Sequence, residues 1–182
     1  MRDKIFIAEH RGGLLKKEQH RQLMKWACKC SEHVLRLFGE TLDERLNNAI
    51  IIAKEWADGK ATVGDAMKAS VAAHAVARES SNPISIAVAR SVGQAVATAH
   101  MADHSLGAAL YALKAVKTAD KSSDIERNST GNPPGSKGKP IFAMRSSIFG
   151  FSVPGFAMPL KSPFISITKT GMLFDDSPSA SN

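Results

Sequence analysis

Cysteine is nearly absent, with only Cys28 and Cys30 among 182 residues. Two positions apart on a helix, their side chains point to nearly opposite sides and cannot bond each other, which excludes a disulfide scaffold. Free thiols in a reducing compartment are expected, with Cys30 a small buried residue on an apolar stripe. Aromatic residues form only 6% of the chain, so Ala, Leu, Val and Ile must fill an Ala-rich, close-packed core. Long hydrophobic runs are missing too. Ile5-Phe6-Ile7 is far short of a signal-peptide core of roughly 7–15 residues, and nothing nears the ~20 residues that span a bilayer. The expectation is a cytoplasmic protein without a membrane partner.

What is present fits one globular domain with a tail: 43% hydrophobic and 23% charged residues, and a net charge of +7. That charge attracts nucleic acid, anionic lipid or an acidic protein, and says nothing of fold.

After the Gly12-Gly13 turn, Leu23, Trp26, Ala27, Cys30, Val34, Leu37 and Phe38 recur at the spacing of one helical face, with Gly39 as the stop. A second helix over 42–58 buries Leu42, Leu46, Ala49, Ile50, Ala53, Trp56 and Ala57 and ends at Gly59; the two Trp-bearing stripes are expected to face each other. The third opens with Thr62 and Asp65, a capping-box variant, and runs to residue 79. Its stripe is read as Val63, Ala66, Met67, Ser70, His74 and Ala77. The fourth opens at Asn82-Pro83 and continues through residue 102. Small side chains allow close helix approach, so the third and fourth helices are expected to be the central ones. A fifth, over 103–117, would bury Leu106, Ala109, Leu110, Leu113 and Val116; Asp103 either caps it or lies inside one long bent helix, and the cap is preferred.

Beyond Asp120 the composition changes, with seven of the eight prolines and six of the eight phenylalanines lying there. No helical or strand period persists, and residues 132–138 are a linker by composition. The fold class is therefore all-α: a single bundle of about five helices with a non-helical, disordered tail. The organisation is an arm over 1–13, a helical domain over 14–119 and a tail over 120–182.

No catalytic constellation can be assembled from spacing. His100 and His104 stand four apart, as metal-binding pairs do, yet Met101 follows where a metalloprotease needs its general-base Glu. His74, His100 and His104 are the metal candidates, and structural histidines are the preferred alternative, with His74 a buried imidazole making a hydrogen bond. Ser70 and Ser91 sit on apolar faces, where each can bond a carbonyl one turn back. Arg11, Lys16, Lys17, Arg21, Lys25 and Lys29 cluster, but Glu9, Glu18 and Glu32 dilute them and no nucleic-acid module appears, which favours a solvated helix face.

Several separated blocks carry a resemblance. They are His10-Arg11-Gly12-Gly13, Glu18-Gln19-His20-Arg21 with Trp26-Ala27, Arg45 onward to Trp56-Ala57-Asp58-Gly59, Ala73-His74-Ala75 with Ala77-Arg78-Glu79, and residues 93–114 from Gly93-Gln94 through His100, His104 and Tyr111. In this order, over about 8–119, they resemble the bacterial immunity protein family with the immunity-protein-five-like domain. The resemblance implies an all-α cytoplasmic protein that neutralises a cognate toxin by binding rather than catalysis, with no cofactor. His10, Arg11, His20, Arg21, His74, Gln94, His100 and His104 are family-pattern positions without assigned roles. The tail departs from the family's helical ending and reads as frameshifted or disordered. The positive charge argues against a nuclease as the target, because inhibitors that mimic nucleic acid are acidic. Two other classes stay open: a basic helical nucleic-acid-associated protein, and a metal-dependent helical enzyme using His74, His100 and His104.

Overall fold

Apolar spacing, caps and glycine stops divide the chain into helices, and a computed structural model, which describes residues 3–129, realises five of them. They are α1 Lys17–Leu35, α2 Glu44–Ala57, α3 Val63–Glu79, α4 Pro83–Ala97 and α5 His104–Ser129. Among the described residues there is no strand, only an isolated bridge between Ala8 and Leu15. The all-α expectation is met; the expected tail lies, from residue 130 onward, outside the described residues.

The caps form as their chemistry dictates. Thr62 Oγ1 accepts from the Asp65 N–H at 3.1 Å while the Asp65 carboxylate accepts from the Thr62 N–H at 3.1 Å, so two donors of the first turn of α3 are satisfied reciprocally. Asn82 Oδ1 accepts from the Ile84 N–H at 2.8 Å, with Pro83 as the first helical residue of α4. Gly59, at φ +81°, turns the chain out of α2.

Helix boundaries differ from expectation: α1 ends at Leu35, short of the Gly39 stop, and α2 starts at Glu44 instead of 42. The fourth helix stops at Ala97 instead of 102, and residues 98–103 form a turn that separates α4 from α5. The His20 ring takes up the Thr98 carbonyl there at 2.5 Å, giving a terminal carbonyl of α4 its partner. The fifth helix passes residue 117 and runs to Ser129. Its apolar stripe ends where packing ends, but no Gly or Pro occurs before Gly131 to stop the helix itself.

The central helices are α4 and α1, not α3 and α4. Ten residues of α4 are buried, and it packs against all four other helices. By contrast α3 lies mainly on α2 and α4, burying Ala66, Ala69, Ser70, Ala73, Val76 and Ala77. The expected stripe is rotated: Val63 and Met67 are exposed, and so is Val71. Two apolar clusters flank α1. Cys28 belongs to the one shared with α2 and α3, and Cys30 to the one shared with α5, which is why both thiols are buried. Trp26 lies in the α5 cluster and Trp56 at the edge of the other, so the two tryptophans do not share a cluster, and of the expected facing stripes it is Phe38 that packs against the α2 residues.

Close approach of small-residue helices also decides the polar bonds of the core. The Ser91 hydroxyl donates to the Ala108 carbonyl at 2.8 Å and contacts the Ser31 hydroxyl at 2.9 Å, tying α5, α4 and α1 together. Ser70 donates to the Gly93 carbonyl at 2.9 Å. Both serines bond across a helix interface rather than to the previous turn, because a neighbouring backbone lies within reach. On α5 the buried line is Ser105, Ala108, Ala112, Ala115, Val116 and Ala119, while Leu110 is exposed and Leu106 and Leu113 are half-buried.

Candidate functional site

The N-terminal arm folds back on itself before α1 begins. The Leu15 N–H donates to the Ile7 carbonyl at 3.0 Å, the Gly13 N–H to Ala8 at 3.2 Å and the Glu9 N–H to Leu15 at 3.0 Å. Gly12 takes a left-handed φ of +81°, and a Cβ on Gly13 would sit 1.9 Å from the Ile7 carbonyl oxygen, so this turn needs glycine twice. The turn holds His10 and Arg11 at the mouth of a cavity of about 1070 Å³.

Three other segments complete the cavity. Lys17, His20 and Arg21 come from the first turns of α1; Trp56, Gly59 and Thr62 from the passage between α2 and α3; Ala99, His100 and Met101 from the α4–α5 turn. His20 and Trp56 meet edge to face, with ring centroids 4.9 Å apart. A carbonyl can only accept, so the Nε2 of His20 donates to Thr98. Burial, with His10 nearby, holds His20 below the usual imidazole range despite that bond. Gly59 leaves room for the Arg21 guanidinium: a Cβ there would lie 2.9 Å from Nη2. The basic cluster is thus divided. Lys25 pairs with Asp58 at 2.9 Å, whereas Arg11, Lys17 and Arg21 line the cavity and make no ion pair among the described residues. For these three, the expected solvated face also borders the cavity: Arg11 and Lys17 are exposed and Arg21 is half-buried.

The remaining family-pattern positions form a polar unit behind this wall. His104 Nδ1 lies 2.7 Å from Gln94 Oε1, the rings of His100 and His104 are 4.9 Å apart, and the Gln94 side chain packs where a Cβ on Gly107 would stand, 2.8 Å away. His74 covers Gly93, whose added Cβ would be 2.6 Å from the imidazole Cε1. The expected hydrogen bond to His74 is not made: its Nδ1 is buried without a partner among the described residues. A ring pressed on Gly93 packs like an apolar group. Burial, then Arg90, Arg78 and His104, push its pKa down to about 4, so it is uncharged at neutral pH.

His74, Gln94, His100 and His104 are therefore neighbours around α4, while His10, Arg11, His20, Arg21 and His100 share the cavity. The metal candidates gain no further ligand: among the described residues no group of three or more His, Cys, Asp or Glu is placed to hold an ion. Cys28 and Cys30 lie apart from the site, and burial pushes both thiols up to about 12, which leaves them unreactive. Sequence reasoning missed Lys17, Trp56 and Gly59 as cavity residues. The pairing of His20 with Trp56 has no local signal, since the two stand on different helices.

No helix among the described residues is long and apolar enough to cross a membrane. Comparison with curated proteins and with solved structures finds no match. A family model does match, over residues 13–130, a span that contains all five helices and every cavity segment except most of the arm. The chain belongs to the Imm-5 like putative immunity protein family.

Proposed function

We propose that this protein binds a bacterial toxin and neutralises it by occupancy, without catalysis. The observation that carries the reading is the family match over 13–130. The basic end of α1 and the arm supply its physical side. Exposed cations at a docking face speed encounter with an acidic partner and fix its orientation, while the contact itself would bury about 800 Å² on each protein.

The test is co-expression with any toxin encoded beside the gene. Rescue of growth, together with recovery of a stoichiometric complex by affinity purification, is expected. Growth arrest that persists with soluble protein present, and no complex, would defeat the reading.

A further inference from the structure

We infer that the cavity between the arm and the α4–α5 turn binds a small phosphorylated molecule carrying an aromatic ring, of the nucleoside phosphate class. Three permanent cations, Arg11, Lys17 and Arg21, surround it against one lining carboxylate, Glu9. None of the three has a carboxylate within ion-pair distance among the described residues, whereas Lys25, one turn along α1 and outside the cavity, pairs with Asp58. Arg21 is half-buried in this state. Asp58 acts on Arg21 through its charge alone, its ion pair being with Lys25, so the half-buried guanidinium keeps N–H donors that an anion from outside can fill.

The backbone is arranged to hold these cations rather than to neutralise them. Gly12 and Gly13 fold the arm that bears Arg11, and Gly59 gives Arg21 its space. Guanidinium groups match phosphate oxygens with paired N–H donors, and a lysine adds a point charge. His100 also lines the cavity, and its Nδ1 is buried with no hydrogen-bond partner among the described residues.

Size and aromatic content select within the anions. A cavity of about 1070 Å³ is far larger than an inorganic phosphate and stands at the upper end of small-molecule sites. Trp56 lines it beside His20, so an apolar, planar surface adjoins the cations. A ligand with a polyanionic end and a flat base satisfies both, since a base gains stacking energy from an indole. An acidic protein segment would use the cations and leave the indole without a stacking partner.

The experiment is thermal denaturation and calorimetric titration of the purified full chain with inorganic pyrophosphate, ADP, adenosine and a poly-glutamate peptide. Pyrophosphate and ADP should raise the melting temperature, by about 5 °C at ten times the dissociation constant. ADP should bind at least about tenfold tighter than pyrophosphate because of stacking, while adenosine and the peptide should not bind. Arg21→Gln and Arg11→Gln should each weaken ADP binding about tenfold; Arg11 is exposed, so its variant keeps the test valid if Arg21→Gln does not fold. Lys68→Gln, exposed on α3 and outside the cavity, should bind ADP as the parent does. Trp56→Leu should abolish the preference for ADP over pyrophosphate.

No shift with either phosphate compound overturns the inference. Equal losses in Arg11→Gln and Lys68→Gln also overturn it, since they mark unspecific charge attraction. Binding of the peptide alone overturns it as well, and makes the cavity a receptor for an acidic protein segment. No toxin enters this measurement, so its failure leaves the immunity reading to growth rescue, and the converse holds.

Discussion

His74 keeps an uncharged imidazole between α3 and α4, and that choice has a thermodynamic sign. In the unfolded chain the ring takes a proton near its ordinary value of 6.5, whereas in the fold it resists until about 4. Between those values the unfolded state binds more protons, so stability rises with pH across the window and falls on acidification. The carboxylates of Asp43, Asp58, Asp65 and Glu79 are held below their usual range by hydrogen bonds to Arg45, Lys25, Thr62 and Arg45 respectively, so their contributions are lost at more acid pH. The melting temperature should therefore drop from pH 6.5 to pH 4, and His74→Asn should flatten that slope. Parallel curves for parent and variant would show that His74 does not carry the effect. The same ring makes Gly93 a coupled position. Gly93→Ala should destabilise the parent, because the new methyl meets the imidazole, but in a His74→Ala background it should stabilise α4 by about 1 kcal/mol through helix propensity. Urea melts of the four proteins close the cycle, and additive effects would refute the contact. Neither coupling was legible in sequence. Spacing places His74 on an apolar stripe, but spacing does not reveal that a glycine on another helix receives it.

At the scale of the element, the local signals were legible and the facing surfaces were not. Thr62 with Asp65, and Asn82 with Pro83, mark helix starts because the satisfied donors lie within three residues of the cap. The buried face of α5 depends instead on its neighbour. Against a Leu-bearing partner the line of Leu106, Leu110 and Leu113 would turn inward, but α4 offers Ala87, Ser91 and Ala95, and the helices come close enough for Ser91 to reach the Ala108 carbonyl. Alanines then fill the seam and Leu110 is left outside. Large and small residues should accordingly exchange their usual sensitivities. Leu110→Ala should change stability by no more than about 0.5 kcal/mol, and Ala112→Leu should cost about 1–3 kcal/mol by overpacking. Denaturant midpoints with unchanged slopes decide this, and a larger loss from Leu110→Ala would reverse the assignment.

Over the whole molecule, the cavity is made from four stretches that share no local periodicity: the arm, the start of α1, the end of α2 and the α4–α5 turn. The blocks that carry the family resemblance supply much of its wall, so recognition located the residues while only the fold explains their company. The arm is the part least embedded in the bundle, anchored by Leu15, which packs with Leu23, Ala102 and Phe6. Its closure depends on a turn in which Gly13 has no room for a side chain. Gly13→Ala must open that turn, because the obstructing atom is a backbone oxygen and cannot rotate away. The helices should remain, since apart from Leu15 every buried apolar residue belongs to a helix or to the α4–α5 turn. Helical circular dichroism should therefore persist in Gly13→Ala, while amide exchange at Glu9 and Leu15 quickens and trypsin cuts sooner at Arg11. If exchange at those amides is unchanged, the arm is held by something other than the glycine turn. Loss of ligand binding in the same variant, with the bundle intact, would identify the arm as the wall that makes the cavity a site.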